Sequence, residues 1–180
     1  MAEFISIGTA CNVKHQIDKH YGKKNTLFFD WLMTDIKSVV SILTSNIDLL
    51  LENVVKESDG IKFKSLSYCV AIHDSMDDFV DKYKRRYNRL IELIKSHKKL
   101  YFIRFGAIDE TGKESFIDAV KLVNPHCNFT LVSIGIQHET KSIKNEPHYL
   151  EIKLTDLQVP DDWTTSYLDW KEIFTLIEEN

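Results

Sequence analysis

The sequence predicts an α/β protein built as a three-layer sandwich, with a mainly parallel, Rossmann-like sheet of five strands and helices on both faces. Two observations support this class. Five short apolar runs are typical of buried strands, and segments with helical spacing lie between them. Strands that alternate with helices pair in parallel, because the crossover helices cover the two faces of the sheet. With 180 residues and no linker rich in proline or glycine, we expect one domain over residues 1–180.

The predicted strands are the apolar runs Phe4–Ile7, Ser67–Ile72, Leu100–Arg104, Phe129–Ile134 and Tyr149–Leu154. The last of them alternates in polarity, so we expect it at an edge of the sheet with one face in water. The predicted helices carry apolar residues at steps of three and four, and they are Asn12–Tyr21, Ile36–Leu51, Asp77–His97, Lys113–Val123 and Ser166–Glu178.

Composition argues against several classes of protein. The net charge is -4 and the pI about 6.0, which does not favour nucleic acid or an anionic membrane as a partner. No window approaches the ~20 apolar residues of a membrane span, and the first residues are acidic rather than a basic signal-peptide head. Three widely spaced cysteines form neither a metal pair nor a disulfide framework, so we expect a reducing, cytoplasmic location.

Cofactor motifs are also missing from the sequence. The histidines lack metal-ligand spacing, and Gly8 stands apart from other glycines, so no phosphate loop is predicted. We expect no metal and no cofactor, and the sequence leaves the oligomeric state open.

Cys11 stands where the first predicted strand passes into a helix. Free backbone N–H groups and the helix dipole at such a position lower the pKa of a thiol and make the thiolate more reactive. The alternative is that Cys11 is a small apolar residue packed beneath the helix.

Two further groups are expected at the same edge of the sheet as Cys11, because the C-terminal ends of parallel strands meet there. His73 and Asp74 follow one predicted strand, and Arg104 ends another, where a buried cation needs an anionic partner or ligand. His73 can act as a base for Cys11, or it can be a structural residue with hydrogen bonds of its own. Asp74 can orient His73, or it can cap the helix that follows.

Two stretches contain aromatic residues in unusual settings. Phe28-Phe29-Asp30-Trp31-Leu32 offers Asp30 as a cap and Trp31 as a platform for a sugar or a base, unless its aromatic residues only wedge the loop onto the domain. The basic run Lys82–Arg89 contains two tyrosines four residues apart, which indicates a core-facing stripe on a solvated helix rather than a nucleic-acid site.

The segments around Gly8–Cys11, Phe28–Leu32, Ile72–Asp74, Lys82–Arg89 and Leu100–Arg104 resemble, in this order, the DUF1796 family, whose members are described as papain-like cysteine peptidases. The resemblance covers roughly residues 4 to 135. It implies Cys11 as nucleophile and His73 as base, with Asp74 or Asp30 orienting the histidine. Phe28 stands where the family more usually has proline. A papain-like enzyme carries its histidine on an antiparallel sheet, whereas the alternation in this sequence predicts a parallel one, and we favour the parallel sheet.

Three hypotheses follow. The first is a cysteine-dependent hydrolase or acyltransferase that uses Cys11, His73 and Asp74 on a small-molecule, glycan or peptide substrate. The second is a non-hydrolytic sugar- or nucleotide-binding domain linked to glycan synthesis, since the family resemblance implies an occurrence beside sugar-transfer enzymes. In both, the ligand lies against Gly8, Asp30, Trp31 and Arg104. The third is an interaction domain, for which exposed aromatic residues near Trp163 and Trp170 would be the sign.

Overall fold

The computed structural model describes residues 2–9, 11–22, 25–137, 140–155 and 168–180. Nine strands and six helices lie within them. In chain order they are β1 (Glu3–Ser6), α1 (Asn12–Tyr21), β2 (Leu32–Thr34), α2 (Ile36–Thr44), α3 (Ile47–Glu52), β3 (Val54–Glu57), β4 (Gly60–Phe63), β5 (Cys69–Ala71), α4 (Phe79–Lys95), β6 (Leu100–Phe105), α5 (Glu110–Val123), β7 (Phe129–Gln137), β8 (Ser142–Glu146), β9 (Tyr149–Thr155) and α6 (Trp170–Glu179).

The larger sheet has five strands in the order β1-β6-β7-β9-β8. Its first four strands pair in parallel, and β8 joins β9 in antiparallel register. The predicted α/β class with a mainly parallel five-stranded sheet is therefore confirmed. The expectation that Tyr149–Leu154 lies at the edge is wrong, because the polar strand β8 covers that side of β9.

Helices pack on both faces of this sheet, as predicted. On one face, α1 and α6 cover a cluster that includes Phe4, Ile103, Leu150 and Phe174. On the other face, a larger cluster joins the sheet to α4 and α5. Alternate residues of β1 and β6 point to opposite faces, which is why Phe4, Ile5 and the run Leu100–Ile103 are apolar in succession.

A second sheet of four antiparallel strands, in the order β2-β5-β4-β3, packs into the same cluster as α4. The predicted strand Ser67–Ile72 corresponds to β5 and lies here, so its assignment to the parallel sheet is wrong. The predicted parallel sheet is present, and the chain also contains this antiparallel sheet, which the sequence did not predict. Strands of three and four residues carry too little periodic sequence to reveal their pairing.

The helices agree with the prediction except in two places. The segment Ile36–Leu51 is interrupted at Ser45, where the chain is extended, and Asn46 caps α3 by accepting a hydrogen bond from the Asp48 backbone. The last helix begins at Trp170, and the start predicted for it at Ser166 lies outside the described residues.

Candidate functional site

Cys11 lies between β1 and α1, immediately before the first residue of the helix. Its backbone is already helical, with φ -69° and ψ -18°, and its carbonyl accepts a hydrogen bond from His15 N at 3.1 Å. The predicted position at a strand-to-helix junction is therefore correct. Among the described residues, the Cys11 side chain makes no capping hydrogen bond to the first N–H groups of α1, unlike the N-cap side chains of many helices.

The Cys11 thiol is buried, with 8% of the residue exposed. Its Sγ donates a hydrogen bond to the carbonyl oxygen of Trp31 at 3.8 Å. Burial raises the pKa of this thiol, and a hydrogen bond donated by the neutral form favours that form further. The direction is opposite to the lowered pKa that we expected from the helix terminus. The resting thiol is protonated, so nucleophilic chemistry here needs a base.

Trp31 owes its position to a tight turn between Leu27 and Leu32. Asp30 N bonds to Leu27 O at 3.3 Å, and Leu32 N bonds to Phe29 O at 3.2 Å. Trp31 itself has φ 68°, a left-handed conformation that is rare for a bulky side chain. Strained backbone of this kind is concentrated at functional sites.

The aromatic residues of this loop divide into two groups. Phe28 and Phe29 are fully buried, and the ring of Phe28 contacts those of Phe63, Tyr83 and Tyr87. These two phenylalanines thus wedge the loop onto the domain. Trp31 is only partly buried, and it lines a pocket on the surface.

His73 follows β5, and the strand ladder explains why it lies near Trp31. Leu32 pairs with Ala71 in antiparallel register, so residues that precede Leu32 face residues that follow Ala71. Trp31, His73, Asp74 and Arg86 together line a pocket of about 340 Å³. His73 is exposed, and among the described residues no hydrogen bond joins its ring to Cys11 or to Asp74.

Asp74 is held by α4 rather than by His73. Its carboxylate accepts hydrogen bonds from Tyr83 Oη at 2.8 Å and Lys82 Nζ at 3.0 Å, and Arg86 lies 3.5 Å away. Burial alone would raise the pKa of Asp74, but these partners hold it below its usual value. The helix begins at Phe79, so Asp74 does not cap it.

Asp30 and Arg104 are both buried, and their charged groups have hydrogen-bond partners within the protein. Asp30 Oδ2 accepts from Leu27 N at 2.9 Å and pairs with Lys14 Nζ at 3.2 Å. The Arg104 guanidinium donates to Ile7 O at 3.1 Å and to Thr34 O at 2.9 Å. Arg104 therefore joins the end of β1 to β2, and its partners are backbone carbonyls as well as the nearby charge of Asp35.

Gly8, which follows β1 of the larger sheet, lies very close to Thr34 in β2 of the smaller sheet. Its φ is 80°, and a Cβ on it would lie 1.9 Å from Thr34 Oγ1. Of the ligand-contact residues that the sequence predicts, Trp31 therefore lines the pocket with His73, whereas Gly8, Asp30 and Arg104 support the backbone around it.

The sequence did not point to Lys14, Thr34 or Arg86 as residues of this region. Lys14 is buried next to Val13 on α1. A lysine at a buried helix position needs carboxylate partners, and this requirement is the one feature of the sequence that could have indicated its role. Of the aromatic residues named for an interaction domain, Trp170 is buried beside Phe174, and Trp163 lies outside the described residues.

Comparison with known proteins bears on this arrangement. A family model described as "Putative papain-like cysteine peptidase (DUF1796)" matches residues 2–138. The chain belongs to this family. The DUF1796 match includes Cys11, Trp31 and His73, and β8, β9 and α6 lie beyond it.

An uncharacterized protein, R408, of Acanthamoeba polyphaga mimivirus is 27% identical to the chain over 214 residues, which cover 94% of this chain and 96% of the relative. No solved structure matches the chain. Within the described ranges, no helix is long and apolar enough to cross a membrane.

Proposed function

We propose that this chain is a cysteine-dependent hydrolase or acyltransferase, with Cys11 as nucleophile and His73 as base. The observation that carries the proposal is the position of Trp31. Its carbonyl accepts the Cys11 thiol at 3.8 Å, and the same residue lines the 340 Å³ pocket together with His73. A cysteine nucleophile needs a base within hydrogen-bond reach, and Trp31 is the residue that connects the Cys11 thiol to the pocket lined by His73.

Further features around Cys11 support the proposal. The buried oxygens Thr9 Oγ1 and Asn12 Oδ1 have no hydrogen-bond partner among the described residues, and Thr9 has φ 81°. Unsatisfied polar atoms and strained backbone beside a cysteine are expected at a reactive site, where geometry is set by chemistry rather than by stability.

The reaction proceeds through a thioester. His73 takes the thiol proton as Sγ attacks the acyl carbon, and the first N–H groups of α1 stabilise the oxyanion that forms. The intermediate collapses, the bond to the leaving group breaks, and His73 returns the proton to that group. Water or another acceptor then attacks the thioester, gives its proton to His73, and releases Cys11 as the thiol. The hydrogen bond between a catalytic cysteine and its base is often long in the absence of substrate and shortens when substrate binds.

A second candidate, a binding domain for a sugar or nucleotide, is favoured by the raised pKa of the Cys11 thiol. In this case Trp31 stacks on the ligand, and Asp74 and Arg86 bind its polar groups in the same pocket.

Acylation by p-nitrophenyl acetate tests the proposal against this alternative. We expect one acetyl group on the Cys11 peptide by mass spectrometry, and a rate about 100-fold lower in His73→Ala. His97→Ala is the matched control, because His97 is also exposed and is not among the residues that line this pocket. The proposal is wrong if Cys11 stays unmodified, or if both histidine variants react at the wild-type rate.

A further inference from the structure

A buried ion pair connects α1 to the turn that contains Trp31. Lys14 lies in the first turn of α1, three residues after Cys11, and its Nζ is 3.2 Å from Asp30 Oδ2. Lys14 is 4% exposed and Asp30 is 1% exposed. The same ammonium group also pairs with Asp18 at 2.9 Å, so that Lys14 is held by two carboxylates.

Asp30 makes a second contact that fixes the turn. The oxygen that faces Lys14, Oδ2, also accepts the Leu27 N–H at 2.9 Å. The carboxylate thereby closes the turn from Leu27 to Asp30, and the next residue is Trp31, with its left-handed φ of 68°. The Trp31 carbonyl in turn accepts a hydrogen bond from the Cys11 thiol at 3.8 Å.

These contacts form a closed ring of interactions. It runs from Cys11 along the first turn of α1 to Lys14, across the ion pair to Asp30, and through Trp31 back to the thiol. We propose that Lys14 and Asp30 are positioning residues, which hold the Trp31 carbonyl against the Cys11 thiol and so set the orientation and titration of that thiol. The inference rests on the proposed function only because that function makes Cys11 the nucleophile.

The surroundings of Asp30 bear on how the ion pair responds to pH. Lys14 and Asp30 line a cavity of about 640 Å³ beside β1, into which Glu3, Arg89, Glu92 and Lys98 also face. Burial raises the pKa of Asp30 to about 6, against the opposing effect of Lys14, and Asp18 adds a smaller increase. The pKa of Lys14 is lowered by burial but raised more by its two carboxylates, so the lysine remains charged.

The test measures the pH midpoint of Cys11 alkylation by iodoacetamide in Lys14→Met and in Asp30→Asn. Both are made in a His73→Ala background, so that the thiol titrates without the proposed base. Loss of the pair frees the turn, exposes the thiol and removes its acceptor, so both midpoints fall by about half a pH unit or more. A direct effect of charge would instead move them in opposite directions, because one variant loses a cation and the other loses an anion.

Several controls make the outcome decisive. Lys19→Met, an exposed position on the same helix, should leave the midpoint unchanged. Cys69 and Cys127 are buried, so their alkylation reports unfolding. If a variant unfolds, Lys14→Arg and Asp30→Glu decide, because they keep the charges and alter the geometry of the pair.

Midpoints that move in opposite directions, or that do not move in any folded variant, would overturn the inference. Neither result depends on whether His73 is a catalytic base, which the acylation experiment tests separately.

Discussion

The two sheets differ in burial and in what each brings to the site. In the parallel part of the larger sheet, five of the six residues of β6 are buried, whereas β3 at the edge of the antiparallel sheet has no buried residue. The larger sheet leads to Cys11, which follows β1. The smaller sheet brings Trp31 and His73, which flank β2 and β5. The proposed chemistry therefore depends on how firmly a small, exposed sheet is held against a large, buried one.

The aromatic packing under the small sheet should have the largest effect. Phe28→Ala removes a fully buried ring, so we expect the free energy of unfolding to fall by about 3–5 kcal/mol, as measured by urea denaturation. The matched variant Phe129→Ala, at the start of β7, should cost a similar amount. Only Phe28→Ala should also change the rate of Cys11 alkylation under native conditions. If both variants changed that rate equally, packing under the small sheet would have no special influence on Cys11.

The bonds of Arg104 between the sheets come next. Arg104→Met leaves Thr34 O without this donor, and Ile7 O keeps only the longer bond from Thr34 Oγ1 at 3.3 Å. We expect a loss of about 2–3 kcal/mol in urea denaturation. Lys95→Met, at an exposed position of α4, serves as the control. An unchanged free energy of unfolding would show that Arg104 is available for a ligand after all.

Gly8 tests the close contact between the sheets. Gly8→Ala places a Cβ against Thr34 Oγ1 and enforces a left-handed φ on alanine, which we expect to cost about 1–3 kcal/mol. The steric part should be relieved in the double variant Gly8→Ala/Thr34→Ala, so a double-mutant cycle should show coupling between the positions. Strictly additive losses would contradict the contact.

The smallest effect concerns Asp74. Because the pKa of Asp74 is lowered in the folded state, the stabilisation is present above the unfolded value of about 3.9 and is lost as the pH falls below it. Asp74→Asn should therefore reduce stability at pH 7 by about 1 kcal/mol or less, and by less at pH 2. Asp118→Asn, at an exposed position of α5, serves as the control. Thermal denaturation at the two pH values measures the difference.

The contribution of Asp30 to stability should depend on pH in the opposite direction from that of Asp74. The pKa of Asp30 is raised to about 6, so the folded state binds a proton more tightly than the unfolded chain. Stability should then decline as the pH rises from about 4 to 6, and Asp30→Asn should abolish that decline.

Four strands of the larger sheet could be predicted from the sequence, whereas its fifth strand, β8, and the pairing of the smaller sheet could not. Strands such as β6 and β7 are mostly apolar, because both faces of the sheet are covered by helices. The strands β2 and β5 have three residues each, and β8 is polar, so none carries a periodic signal strong enough to assign its partner.

The site was predictable in part, for a similar reason. Cys11 could be predicted because it stands between a strand pattern and a helix pattern, and Trp31 because it belongs to an unusual run of aromatic residues. The partners of Arg104 are mainly backbone carbonyls, which every residue has, and so the sequence could not distinguish a structural cation from one that binds ligand.

The pairing of a thiol from one sheet with a base from the other is tested most directly by the alkylation of Cys11 across the pH range, in wild type and in His73→Ala. If His73 takes the thiol proton, wild type should react at least about tenfold faster than His73→Ala at pH 7. The variant should equal the wild type only at alkaline pH, where the thiol ionises unaided. Superimposable profiles would show that Cys11 and His73 do not act together.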